Sequence, residues 1–361
     1  MRLLLLGDVV ATEYSAPLWR SKDINGLFGD AISLFEGNDL AFVNLECAIT
    51  DHTDGIPKFG PCLSSPKEMA EVLKEVGVTL VGLSNNHIFD FGPKGVSDTL
   101  SALDENGLDY TGFGNDYEDS RKNYVFEKDG STVCIITVCE HEYSYALDDR
   151  MGSRPWDEFD TVEDVRAARE LYDRVVVIYH GGKEFCRYPS PRLNRLCRAL
   201  VRAGADLVIG QHSHCIGSYE KYEGGHILYG QGNFHFVKPH DFDGWGSGMA
   251  VHYDTESGEM TFTPYVNNDC GIELAKGDER EALMTAFYDR QRQMANGEWK
   301  DGWHKFCLDR QEFYHKVIRE AGLPDSSELQ NARFGHYLDC EAHTDVWREL
   351  YPTYNQTNFR K

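Results

Sequence analysis

The sequence predicts an α+β fold with a helical C-terminal appendage. Three observations carry this. Short apolar runs of strand length recur from the N-terminus to about Val266. Segments with helix start and stop signals alternate with them in the first two thirds, and hairpin turns join several of them. From about Gly277 the strand pattern gives way to Trp, Tyr and Phe at helix-like spacing. A length of 361 residues suits one large domain with an appendage. The expected division is residues 1–270 and 271–361.

Taken in order, Arg2–Leu6 is an apolar strand running into Gly7-Asp8. A helix is expected at about Gly26–Phe35, and Asp39–Leu45 is a second strand with Glu46 at its end. Residues 50–66 are rich in Gly, Pro, Ser and Asp, which suits a functional or lid-like excursion. Ser65 and Pro66 read as the start of a helix over 66–76, with Ser65 as N-cap. Thr79–Leu83 is a strand, followed by Ser84-Asn85-Asn86-His87. Pro93–Asn106 is helical and Leu108–Thr111 a short strand. Asn123–Glu127 and Ser131–Val138 form a hairpin about Asp129-Gly130. Thr161–Asp173 is a helix, with Thr161 and Asp164 as a capping-box variant. The strand Arg174–Tyr179 ends in His180-Gly181-Gly182. The helix Pro191–Ala203 leads to the strand Asp206–Ile209, which feeds the loop GQHSHCIGSY. Two more hairpins follow, Tyr219–Tyr222 with His226–Tyr229 and Met249–Asp254 with Glu259–Val266. Helices are expected over 279–296, 303–322 and 326–338.

A net charge of −23 argues against a nucleic-acid-binding face and against an anionic membrane surface. It leaves room for an anionic substrate, small or polymeric, because a bound cation inverts the local field. Ten scattered Cys without a C-x-x-C read as reduced core thiols. The N-terminal apolar run is too short for a signal h-region, and no run approaches a membrane span. A cytoplasmic location is expected, with homo-oligomer formation through the helical tail left open. The Asn355-Gln356-Thr357 sequon carries nothing in such a setting. No nucleotide-binding loop, zincin motif or serine-hydrolase elbow occurs.

Five strand ends carry metal-competent residues: Asp8, Glu46, Asn86 with His87, His180, and His212 with His214. Ligands in such sheets bind beyond the carboxyl ends of strands. Each tip alone has a plainer reading. Asp8 or Glu46 could cap a helix, Asn86 could serve a turn, and His180 could be a core histidine. All five together point to one metal site. Hard carboxylates with imidazoles suit Mn, Zn or Fe, as one or two divalent ions. Glu184 and Arg187, just past His180, are candidate substrate contacts, Arg187 through a bidentate hold on phosphate or carboxylate. Asn233 reads as an amide bracing the H-x-H loop, and His235 and His240 as surface loop residues.

The ordered motifs GD, NLE, NNH, HGGKE, GQHSH and ILYGQGNF resemble the CapA family of poly-γ-glutamate capsule synthesis proteins, itself similar to the calcineurin-like metallophosphoesterases. The resemblance covers about residues 1–240. It implies a four-layer αββα sandwich, metallo-dependent phosphatase-like, for the 1–270 domain. It assigns Asp8 and His214 to one ion, Asn86, His180 and His212 to the other, and Glu46 to the bridge. It makes His87 the general acid. Two departures stand out: Val10 replaces the usual third-position His of the first motif, and Glu46 replaces the usual Asp bridge. The reaction implied is phosphoester hydrolysis by metal-activated water. The alternatives are hydrolysis or transfer at amide bonds of poly-γ-glutamate or a related polymer, and a non-catalytic, metal-stabilised assembly protein.

Overall fold

Side chains alternate across a strand with a period of two, and here both faces of the central strands are apolar. Leu3 and Leu5 enter one core cluster while Leu4 and Leu6 enter another. Val176 and Ile178 divide from Val175 and Val177 in the same way. The computed structural model, which describes residues 1–140 and 142–351, resolves that pattern into four layers.

The first sheet has β1 (Arg2–Val9), β2 (Leu40–Leu45), β3 (Leu80–Gly82) and β4 (Asp109–Thr111), side by side and parallel. The second contains β5 (Tyr124–Lys128), β6 (Ser131–Cys139), β7 (Arg174–His180), β8 (Leu207–Gln211), β9 (Tyr219–Tyr222) and β10 (Gly225–Leu228), in the order β9-β10-β8-β7-β6-β5. The chain then returns to the first sheet. There β11 (Asn233–His235) lies parallel to β1, and β12 (Ser247–Asp254), β13 (Met260–Asn267) and β14 (Ile272–Leu274) extend it antiparallel.

Leu3, Leu5 and Phe42 of the first sheet meet Ile135, Val176 and Ile209 of the second in a shared core. The outer face of the first sheet is covered by α1 (Glu68–Val76) and by short helices around Trp19 and Phe28. α2 (Gly92–Glu105) joins β3 to β4. The outer face of the second sheet is covered by α3 (Asp160–Leu171) and α4 (Pro191–Ala203). This is the four-layer αββα sandwich. The parallel strands β1, β2, β3, β7 and β8 direct their carboxyl ends toward one region, where the candidate ligands gather.

Four helices follow: α5 (Gly277–Asn296), α6 (Trp299–Glu320), α7 (Glu328–Asp339) and α8 (Glu341–Leu350). Phe287 of α5 enters the inter-sheet core. Trp303, Tyr314, Tyr337 and Val346 of α6–α8 build a small core of their own that includes Cys186. Asp345 of α8 accepts from Ser190 (2.6 Å) and Arg192 (2.9 Å), which ties the last helix to the start of α4. No described helix is long and apolar enough to cross a membrane. No disulfide is formed among the described residues.

Several local expectations change. The helix expected over 26–35 is Ile24–Phe28 followed by a 3₁₀ segment, Gly29–Phe35. Ser65 does not cap α1, whose N-cap is Lys67; its hydroxyl accepts from the Ala11 N–H (2.9 Å) instead. Thr161 and Asp164 form no capping box. Asp157 accepts from the Asp160 N–H at 2.8 Å, while Asp164 pairs with Arg121 and Arg154. His235 is fully buried against Trp19 and Phe28, because β11 runs beside β1 inside the sheet. His240 is exposed. The fourth C-terminal helix, α8, lies beyond the expected set. The Asn355 sequon falls outside the described residues.

Candidate metal centre

Asp8 sits one residue from the end of β1 and pairs in register with Asn44 of β2, so that strand pairing alone sets Asp8 beside the Asn44–Glu46 tip. His180 is the last residue of β7, and His212 follows β8 directly. Asn86 lies on the turn after β3. The structure brings all six expected ligands together. His180 Nε2 is 2.9 Å from Asn86 Oδ1 and 3.3 Å from Glu46 Oε1. His180 Nδ1 is 3.8 Å from Asp8 Oδ1. His214 Nδ1 is 3.7 Å from Asp8 Oδ2, and His212 Nδ1 is 3.8 Å from Glu46 Oε1. Ligand atoms of Asp8, Glu46 and His180 lie within 4.8 Å of one another, as do those of Glu46, His212 and His214. Glu46 is common to both groups, the position a bridging carboxylate needs.

The residues fit divalent ions on three grounds. Glu46 is fully buried, yet neither of its carboxylate oxygens has a hydrogen-bond partner among the described residues. A buried carboxylate without a counter-charge is costly, and a cation removes that cost. Burial, and then the neighbouring Glu46, push the Asp8 carboxyl up to about 6; burial raises Glu46 as well. Finally, His212 (φ 72°) and His214 (φ 53°) both hold left-handed backbone. Such strain in non-glycine residues clusters at ligand clamps. The set of two carboxylates, one amide oxygen and three imidazoles suits Mn, Fe or Zn. Val10 is buried in the outer core of the first sheet, so it adds no ligand.

A second layer holds the first in place. Asn44 donates to Asp8 Oδ1 (2.7 Å), and Asn85 donates to the Leu45 carbonyl (2.8 Å). Asn85 Oδ1 accepts from the His87 and Ile88 N–H groups, fixing the turn that presents Asn86 and His87. Asn233 Oδ1 lies 2.8 Å from His214 Nδ1, the ring nitrogen that also faces Asp8 Oδ2 at 3.7 Å. Thus Asn233 braces the H-x-H loop. Glu140 accepts from the Gly182 N–H (3.0 Å), Arg192 (2.6 Å) and the Tyr179 hydroxyl, fixing the turn after His180.

His87 stands beside this nest on the wall of a cleft of about 300 Å³. Its Nδ1 is 2.6 Å from Asp90 Oδ2 and 3.2 Å from Lys58 Nζ, and Lys58 also pairs with Asp90. Burial, and then Lys58, lower the His87 pKa. Sequence reasoning missed both partners. Asp90 sits three residues after His87, a spacing that could have signalled it. Lys58 comes from the excursion loop, and nothing near it in sequence marks it. Glu184 lines the cleft. Arg187 does not join that lining: it pairs with Asp243 (2.7 Å) and lies over the Phe242 ring.

The family described as bacterial capsule synthesis protein PGA_cap matches residues 2–238. The chain is 35% identical over 181 residues to the capsule biosynthesis protein CapA of Bacillus anthracis, covering 48% of this chain and 44% of that one. It is 29% identical over 237 residues to the PGA biosynthesis protein CapA of Bacillus subtilis, covering 64% of this chain and 62% of that one. The matched region thus spans about half of these relatives' lengths. Among solved structures, an NAD nucleotidase of Haemophilus influenzae overlaps with a TM-score of 0.42 at 13% identity, covering 86% of this chain and 60% of that one. An overlap that loose says nothing about activity.

Proposed function

The chain belongs to the bacterial capsule synthesis protein PGA_cap family, and from that premise and the geometry of the centre we propose that it is a metal-dependent hydrolase of anionic substrates, with phosphoesters as the substrate class. The observation that carries this reading is the His87–Asp90 pair at 2.6 Å, set on the cleft wall beside the six clustered ligands. Asp8, Glu46, Asn86, His180, His212 and His214 would hold the ions. When bound, these supply Lewis acidity and a water activated at neutral pH.

The chain's own residues do the rest. Asp90 accepts the Nδ1 proton of His87, so Nε2 is the nitrogen that gives a proton to the leaving group. In the free protein burial and Lys58 favour neutral imidazole. An anion seated in the cleft offsets the Lys58 charge and favours the protonated form that the acid role requires. Lys58, held by Asp90, and Lys183, 3.8 Å from Glu184, both line the cleft and are the cations nearest such an anion.

A second reading is hydrolysis or transfer at amide bonds of poly-γ-glutamate. The names of the Bacillus relatives favour it, and the same lysines suit a polycarboxylate. The test is metal analysis followed by Mn²⁺-supplemented assays on p-nitrophenyl phosphate and on poly-γ-glutamate, for the wild type, His87→Ala and His214→Ala. Phosphoester turnover lost in both variants supports the first reading. Cleavage of the polymer alone moves the assignment to the second. Bound metal with turnover on neither substrate leaves a metal-stabilised assembly protein and overturns both.

A further inference from the structure

The C-terminal helices carry a second ligand cluster that the sandwich centre does not use. α7 stops at Asp339, Cys340 is a single extended residue (φ −71°, ψ 123°), and α8 starts at Glu341. His336 lies in the last turn of α7 and His343 in the first turn of α8. The spacing H-x₃-C-x₂-H therefore brings one imidazole from each helix to the thiol at the break. One ligand atom from each of His336, Cys340 and His343 lies within 4.8 Å of the other two. Cys340 and His343 are buried and His336 is half-buried. All three face the cleft that His87 also lines.

The surroundings are those of a prepared ligand set. His343 Nδ1 is 2.6 Å from the Tyr314 hydroxyl, and the Tyr337 ring stacks on the same imidazole at 3.6 Å. A metal-ligating histidine characteristically gives its other ring nitrogen to such an outer partner, which fixes tautomer and orientation. That makes Nε2 the ligating nitrogen of His343.

We infer that His336, Cys340 and His343 form a transition-metal site of the zinc class at the mouth of the cleft, separate from the sandwich centre. A thiolate with two imidazoles selects zinc over the harder ions. The three side chains need to close by about 1 Å around a tetrahedral ion with bonds of about 2.0–2.3 Å. Binding displaces the Cys340 thiol proton to solvent. Three protein ligands leave a fourth position, which water or an anionic group of a cleft-bound molecule fills. The ion fastens the α7–α8 junction over the cleft and adds positive charge to its rim. The site uses none of the residues assigned to hydrolysis.

Cobalt substitution tests this, because a thiolate bound to Co²⁺ gives a near-ultraviolet sulfur-to-metal band and the sandwich centre offers no thiolate. The full chain is stripped with EDTA and titrated with Co²⁺. The wild type is expected to develop the band, Cys340→Ser to lose it, and Asp8→Asn to retain it. His336→Asn, at a half-buried position that tolerates change, is expected to loosen cobalt by more than the roughly 10–100-fold of an outer-partner loss. This variant keeps the test open if Cys340→Ser misfolds. No band in the wild type at saturating Co²⁺, a band that survives in Cys340→Ser, or unchanged affinity in His336→Asn overturns the site. Failure of the phosphoester and polymer assays does not bear on it.

Discussion

The two histidine clusters of this chain are built on opposite plans. The sandwich cluster draws its ligands from five strand ends across two sheets, fixed by strand register and by the hydrogen-bonded turns that follow. The helical cluster draws three ligands from eight consecutive residues across one helix break. The first sets two carboxylates and an amide oxygen beside three imidazoles, and Asp8, Glu46 and His180 are fully buried. The second has a thiol and a half-buried imidazole. Donor chemistry therefore divides them: the oxygen-and-imidazole set takes Mn, Fe or Zn, whereas the thiolate of the second narrows the choice to zinc-class ions. The difference teaches that long-range strand pairing builds a rigid site for chemistry. A local helix break builds an adjustable one, suited to holding an appendage in place.

The largest effect is expected from Glu46→Ala, which removes the residue common to both ligand groups of the sandwich. Metal analysis should show loss of ions there and turnover at background, with the Co²⁺–thiolate band unchanged. If that band vanished too, the two clusters would be one site. Next, His87→Ala should lower kcat by about 10²–10⁴-fold with metal content kept, since only general-acid catalysis is removed. Loss of metal along with activity would place His87 among the ligands instead.

A buried imidazole in neither cluster sharpens the comparison. Burial holds His235 down at about 4, against an ordinary value near 6.5. Above about 6.5 the group is neutral in both folded and unfolded chains and has no effect. Below it the unfolded chain binds a proton that the native chain excludes, so stability falls with pH until about 4. His235→Phe should flatten that loss by roughly 2 kcal/mol between pH 7 and pH 5, read by urea unfolding in EDTA. Identical pH profiles for the variant and the wild type would show that His235 charges in the folded state. Last, Asn233→Ala removes the outer partner of His214. It should weaken metal binding or activity by about 10–100-fold in isothermal titration and steady-state assays. An unchanged affinity would mean that packing against Trp245, at 4.7 Å between ring centroids, is enough to orient His214.

Much of the sandwich centre is legible in the sequence, because each ligand directly follows a strand whose apolar run marks it. Asp8, Glu46, His180 and the His212–His214 pair all declare themselves this way. The layers are legible for the same reason: runs such as Leu3–Leu6 and Val175–Ile178 are apolar on both faces. What escapes is contact between segments distant in sequence. Lys58 reaches His87 across 29 residues from a loop without regular structure. Ser65 has the local chemistry of a helix cap, but the Ala11 N–H takes its hydroxyl from 54 residues away. His235 looks like a polar residue between two aromatics, and only its place beside β1 buries it. α8 was missed because the last expected helix stops at residue 338, and the new start after the extended Cys340 carries no side-chain cap to mark it. Arg187 was expected at the substrate on its charge and its place after His180, whereas the structure turns it to Asp243.

The central claim is that the strand-tip nest is a hydrolytic metal centre. The most direct measurement is p-nitrophenyl phosphate turnover by the EDTA-stripped chain before and after Mn²⁺ is restored, with bound metal quantified in the same samples. Turnover absent in the stripped chain and returning in step with Mn²⁺ occupancy is the expected result. Turnover that ignores the metal, or Mn²⁺ bound at the nest without turnover, would contradict it.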